Sequence, residues 1–351
     1  MNRTWILLAA LSVVFWNPGS VQAAPQIGDP PPPLQIKEWV KGKPVDLARD
    51  SGKKIHLVEF WATWCPPCKA SVPLLSELQT KYKNDLVIIG VTDVDDRGNT
   101  QSAIRRFVKK QGSKMSYTVA IDDSGKTFDA YFDKAAPVGI PHAYLVDRDR
   151  KIVWQGSPLD PALMEVIPAV IDGTYDLKAA KLEAEVYRRL DALSFSLQMG
   201  QWGIVWDGLI DILKLDPAND AAFNALKDIY SLELRNTRTF RKWARSHIDA
   251  HRGNALAMER LASALLAIGD LSARTPDLVL EAAQAAHEAS KGRDASVIAV
   301  YAGALYQIGD LEGAISQQRD AIALASADER KTLEGVLEYY ELCKKLRETV
   351  R

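Results

Sequence analysis

Apolar and polar positions along the chain follow two rhythms, and they change over near Gly173. Before it, short apolar runs alternate with stretches of helical period. Strands are predicted at 55–60, 86–91, 117–121, 143–147 and 151–155, with helices from just after Cys68 to about 83 and over 101–111, 127–132 and 160–171. The last two strands flank a charged turn and read as a hairpin. Strands alternating with helices and closing in a hairpin predict an α/β sheet covered by helices on both faces.

Beyond Gly173 the strand signals vanish and the chain reads as alanine- and leucine-rich helix. Met199-Gly200-Gln201-Trp202, Ile268-Gly269-Asp270-Leu271 and Ile308-Gly309-Asp310-Leu311 each set a glycine between two amphipathic stretches, as in a helical hairpin. Ala302, Leu305, Gly309, Ala314 and Ala321 fall where two helices touch. Trp202, Leu209, Ile212 and Pro217 do the same in the first unit. These units resemble tetratricopeptide repeats, with an insertion around 272–275 and a poor match over 220–251. The expected organisation is therefore a leader at 1–24, an α/β domain at 25–173 and an all-α helical-repeat domain at 174–351.

Residues 1–24 carry Arg3, an apolar core from Trp5 to Trp16, breakers at Asn17-Pro18-Gly19 and small residues ending at Ala23 and Ala24. That order is a secretory signal peptide, and its apolar run is short of the roughly 20 residues that span a bilayer. The expected location is periplasmic or secreted, with no spanning segment in the mature chain. Four consecutive prolines at 30–33 then form an extended lead-in. With 44 basic against 45 acidic residues, there is no electrostatic case for nucleic acid or an anionic membrane as partner.

Export changes how the three cysteines, Cys65, Cys68 and Cys343, are read. A structural zinc needs four ligands, but the chain has a single CxxC, and its near-paired histidines, His247 and His251, fit a solvated helix face. Lys69 stands where haem attachment needs histidine. A structural clip closing so short a loop would stabilise little. A redox pair has a physical basis: a strand ending at Phe60 and a helix starting near Pro66 put Cys65 at a helix N-terminus, which favours a thiolate. Cys65 is then the nucleophile and Cys68, deeper in the helix, the resolving thiol. Pro66 and Pro67 stiffen the helix start.

Alternation along the 55–60 strand places Val58 and Phe60 on one face and Leu57, Glu59 and Trp61 on the other. Glu59 is thus expected to be buried beneath the cysteines, where it can hold a proton and exchange it with Cys68. Cys343, in a helix with Leu342 and Leu346, reads as a buried free cysteine without a redox role.

The stretch around FWATWCPPCK resembles the active-site strand and helix of the thioredoxin superfamily, specifically its exported TlpA-like thiol-disulfide oxidoreductases. Val138-Gly139-Ile140-Pro141 is similar to that family's cis-proline loop, which lies against the CxxC. The resemblance covers about residues 25–172. It implies a thioredoxin-like domain, a redox-active Cys65–Cys68 disulfide, no cofactor and no metal, and a substrate-binding rim of Trp64, Pro66, Pro67, Ile140 and Pro141. Partners would be a protein client bearing a disulfide or dithiol, an upstream electron donor, and a protein held by the helical repeats. The chain departs from the family pattern at His142, where a hydroxyl residue is common, and at Glu59, where aspartate or asparagine is. Two other readings stand beside it: a thiol peroxidase, for which Ala62 and Val58 occupy the places of the needed hydroxyl residue and proline, and a repeat scaffold with a vestigial redox domain.

Overall fold

The computed structural model describes residues 24–49, 52–132, 139–230, 237–269 and 273–350. Residues 1–23 of the expected leader lie outside these, as do Val138 of the proline loop, Asp270 and Leu271 of the middle hairpin and Ser272 of the insertion. The chain divides into two compact units, one up to Lys181 and one from Leu182. The division falls inside a helix, Leu177–Gln198, rather than at Gly173, which ends the helix before it.

The first unit is a six-stranded mixed sheet of β1 (Ile36–Lys41), β2 (Ile55–Phe60), β3 (Leu86–Thr92), β4 (Thr118–Asp122), β5 (His142–Val146) and β6 (Ile152–Gly156), in the order β1-β4-β3-β2-β5-β6. β2, β3 and β4 are parallel neighbours, while β1, β5 and β6 pair antiparallel. The helices are α1 (Pro66–Lys81), α2 (Gln101–Gln111), α3 (Lys126–Tyr131) and α4 (Ala162–Asp172). Every residue of β2 is buried, as a central strand covered on both faces requires.

The two faces divide the core as alternation dictates. Leu57 and Trp61 pack with residues of α1, α2 and α4, whereas Val58 and Phe60 pack with Tyr131, Tyr144, Leu34 of the lead-in and Leu47 of the β1–β2 connection. β1 has no counterpart among the predicted strands. It breaks register with β4 between Ile36 and Glu38 and again between Trp39 and Lys41, so its apolar positions do not alternate. The proline-rich lead-in is held to the sheet: Gly28 N–H donates to Ile152 O at 2.7 Å, Ile152 N–H donates to Asp29 O at 2.9 Å, and Tyr131 Oη donates to Pro32 O at 2.9 Å.

The second unit is helical among the described residues. After α5 (Leu177–Gln198) come α6 (Trp202–Leu215), α7 (Asp220–Asp228), α8 (Thr237–His251), α9 (Ala255–Leu266), α10 (Pro276–Ser290), α11 (Ala295–Gln307), α12 (Leu311–Leu324) and α13 (Ala327–Val350). Gly200 and Gly309 adopt left-handed backbone at the α5–α6 and α11–α12 turns, with φ of 66° and 85°. Ala282, Ala283, Ala285 and Ala286 of α10 are buried, letting neighbouring helices approach closely.

Two expectations are corrected here. His247 does not lie on a solvated face: it is buried on α8 against Phe223 and Trp243, and burial, reinforced by neighbouring His251, pulls its pKa down to about 4. Cys343 is half-buried rather than buried, with Sγ 3.7 Å from Tyr306 Oη, while Leu342 and Leu346 are exposed.

Candidate active site

α1 starts at Pro66 because Cys65, with φ −84° and ψ 110°, is still extended and acts as its N-cap. A helix start normally presents several unpaired N–H groups. Pro66 and Pro67 have none, so the first that α1 can offer is that of Cys68, and it donates to Cys65 Sγ at 3.1 Å. The two prolines thus leave a single, directed donor on the sulfur. Cys65 and Cys68 form a disulfide with S–S 2.06 Å and Cα–Cα 5.3 Å. Both are buried, at 3% and 1% exposure.

Across the disulfide runs the loop of Ile140 and Pro141, joined by a cis peptide bond, with Ile140 O 3.6 Å from Cys65 Sγ. Pro66 and Pro67 are exposed, Trp64 and Ile140 half-buried, and Pro141 is buried. Four of the five expected rim residues are thus at least partly open to solvent, and Pro141 is covered.

Trp64 is held from a segment that the sequence did not mark. Its indole N–H donates to Asp95 Oδ2 at 2.5 Å, and the Arg97 guanidinium lies 5.0 Å from its ring centre. Asn99, 1% exposed, accepts from Thr63 N–H and Thr63 Oγ1 at 2.9 and 2.7 Å and donates to Thr92 Oγ1 at 2.8 Å. The loop after β3 thereby fixes the turn that carries Trp64 to the cysteines.

Glu59 is fully buried on the face of β2 that packs against α1. Its cross-strand neighbours are Gly90 on β3 and Ala143 on β5, which leave it space but no polar partner. A Cβ on Gly90 would come within 3.1 Å of both Trp61 Nε1 and the Tyr117 ring. Hydrogen bonds reach Glu59 from elsewhere: Ser71 Oγ lies 2.6 Å from Oε1 and Tyr117 Oη 3.4 Å from Oε2. Burial lifts the carboxyl pKa from 4.5 to about 7, with the two hydroxyls opposing the rise. Ser71, like Asp95 and Asn99, is a residue that the sequence did not mark. A carboxyl facing α1 needs a donor there, and the position three after Cys68 shares that face.

His142 opens β5 within the aromatic cluster of the other face, 5.0 Å from the Tyr144 ring and 5.8 Å from Phe132, and burial pulls its pKa down to about 4. It is packed as a neutral ring. No group of three or more side chains suited to a metal is found among the described residues, and no described helix is long and apolar enough to cross a membrane.

A mixed sheet with a disulfide at the start of its first helix and a cis-proline loop against it is a thioredoxin-like dithiol domain. Residues 26–165 match the Redoxin family model. Thiol-disulfide oxidoreductase ResA of Bacillus thuringiensis subsp. konkukian is 34% identical over 130 residues, covering 37% of this chain and 69% of the relative. Protein FixW of Rhizobium leguminosarum is 25% identical over 210 residues, covering 54% of this chain and 91% of its own. A solved structure of a putative thiol:disulfide interchange protein DsbE from Chlorobium tepidum, 27% identical, covers 43% of this chain and 99% of that one with a TM-score of 0.34. The chain belongs to the ResA-like thiol-disulfide oxidoreductases. It is an oxidoreductase working through the Cys65–Cys68 pair.

Proposed function

We propose an exported oxidoreductase that exchanges its dithiol with protein clients, Cys65 acting as nucleophile and Cys68 as resolving thiol. The observation that carries the assignment is the Cys68 N–H directed at Cys65 Sγ. A donor on one sulfur stabilises negative charge there, and the helix dipole adds to it. In the reducing direction the Cys65 thiolate attacks a client disulfide, forming a mixed disulfide and releasing one client thiolate. Cys68 then attacks Cys65 Sγ, closing the Cys65–Cys68 bond and releasing the second. An upstream electron donor of the dithiol class restores the pair.

Glu59 serves as proton exchanger for Cys68, its pKa near 7 allowing it to take up or give up a proton at neutral pH. Trp64, Pro66, Pro67 and Ile140 form the docking rim over Pro141. The helical unit, in this reading a tetratricopeptide-like array, recruits a protein partner. A cavity of about 900 Å3 within it, lined by Glu259, Tyr306, Gln307, Gln318 and Tyr340 among others, supports that role. Holding a client nearby raises its effective concentration without new chemistry.

Cys65→Ala should abolish reduction of a model disulfide protein, and Cys68→Ala should accumulate mixed disulfides through Cys65. Undiminished turnover by Cys65→Ala, or no trapped client with Cys68→Ala, overturns the assignment. A chain ended after Lys181 should still reduce a small disulfide and turn over the trapped client more slowly.

A further inference from the structure

Ser71 lies between two acceptors and has one proton to give. Its Oγ is 2.6 Å from Glu59 Oε1 and 2.9 Å from Cys68 O, and the residue is fully buried. When Glu59 is neutral, its own O–H donates to Ser71 Oγ and the Ser71 hydroxyl is free to donate to the Cys68 carbonyl. When Glu59 is ionised, the Ser71 proton turns to the carboxylate. The Cys68 carbonyl, inside α1, still has its ordinary helical donor. Neither state strands a buried polar group.

The surroundings make this hydroxyl decisive. Gly90 and Ala143 flank Glu59 without polar side chains, and Tyr117 Oη, the other hydroxyl, stands farther off at 3.4 Å. We propose that Ser71 is the positioning residue for Glu59, its hydroxyl proton turning between the carboxyl and the Cys68 carbonyl as Glu59 changes protonation state.

This rests on the reading of Glu59 as proton exchanger. In the resolving step the Cys68 thiol gives its proton to the Glu59 carboxylate, leaving a thiolate and a neutral carboxyl. The thiolate attacks Cys65 Sγ of the mixed disulfide, the Cys65–Cys68 bond forms, and the client sulfur leaves with the electron pair. Ser71 holds the carboxyl in place through the change and sets the pH at which it occurs. An alanine there removes the bond from both forms, but the ionised form loses the stronger, charge-assisted one, so ionisation becomes harder.

The test uses full-length protein carrying Cys343→Ser, with thionitrobenzoate attached to Cys65 as a coloured leaving group. Its release against pH reports the resolving step, and the infrared carboxyl band, taken as the difference from Glu59→Gln, reports Glu59 directly. Ser71→Ala should move both midpoints upward by about one pH unit, the difference between a hydrogen bond to a charged group and one to a neutral group. Ser76→Ala, removing a second buried serine of α1 that bonds Val72 O and Lys114 O instead, should leave both where they are. Unmoved or lowered midpoints in Ser71→Ala, with the kinetic inflection lost in Glu59→Gln, overturn the role of Ser71 and leave that of Glu59 standing. An inflection that survives Glu59→Gln overturns the reading of Glu59, and that of Ser71 with it.

Discussion

Glu59→Gln should make the oxidised protein more stable in mildly alkaline solution. Glutamine keeps the shape and an acceptor for Ser71 but cannot ionise. In the folded wild type the carboxyl pKa stands at about 7 against an ordinary 4.5. Between those values the native state holds a proton that the unfolded chain has released, so stability falls as pH rises. The contribution is complete below the unfolded value and is lost once pH passes the folded one. Two and a half pH units at about 1.4 kcal/mol each amount to about 3 kcal/mol. Urea unfolding of both proteins at about pH 5 and about pH 8 isolates this effect, because the helical unit and every distant titrating group are common to the two and cancel. Wild type should lose about 2.5 kcal/mol more than the variant across the interval, because part of the effect is already spent at pH 5, a relative shift of about 1 to 2 M in urea midpoint. Parallel pH dependence in the two proteins would refute a buried, proton-holding Glu59.

Gly90→Ala should cost about 1 to 3 kcal/mol in urea unfolding, because the new methyl crowds Trp61 and Tyr117, both buried and unable to yield cheaply. A neutral result would show that the space beside Glu59 is looser than the structure has it. Asn99→Ala should cost about 2 to 3 kcal/mol, since Thr63 N–H and both partner hydroxyls lose their side-chain bond at once. Asp95→Ala should cost about 1 to 2 kcal/mol, since Arg97 N–H and Asn99 N–H lose their acceptor along with the Trp64 indole, and should weaken client turnover by releasing Trp64; equal turnover would remove Trp64 from the docking rim.

The redox site was legible where local pattern and chemistry coincide. The β2 strand, the helix beginning at Pro66 and the inward face of Glu59 all follow from periodicity and from the proline pair. β1 was not legible, because its two register breaks with β4 destroy the alternation by which a strand is recognised. Ser71, Asn99 and Asp95 were hidden for another reason. Their types are ordinary in helices and loops, and only the folding of distant segments onto β2 and Thr63 gives each a particular acceptor or donor. His247 misled because a histidine pair one helical turn apart carries no signal of which face is covered. The resemblance to the family, by contrast, rested on residues adjacent in the chain or in the loop facing them.

The lead-in has a consequence for how this molecule meets its neighbours in a crowded solution. A terminal strand such as β6 offers a row of open backbone groups to any passing extended chain. Gly28 and Asp29 occupy both groups of Ile152, and the prolines that follow have no N–H with which to prolong the ladder or to invite another strand onto its outer side. The start of that flank is thus closed to an incoming strand, whereas Pro66 and Pro67 beside the cysteines stand exposed.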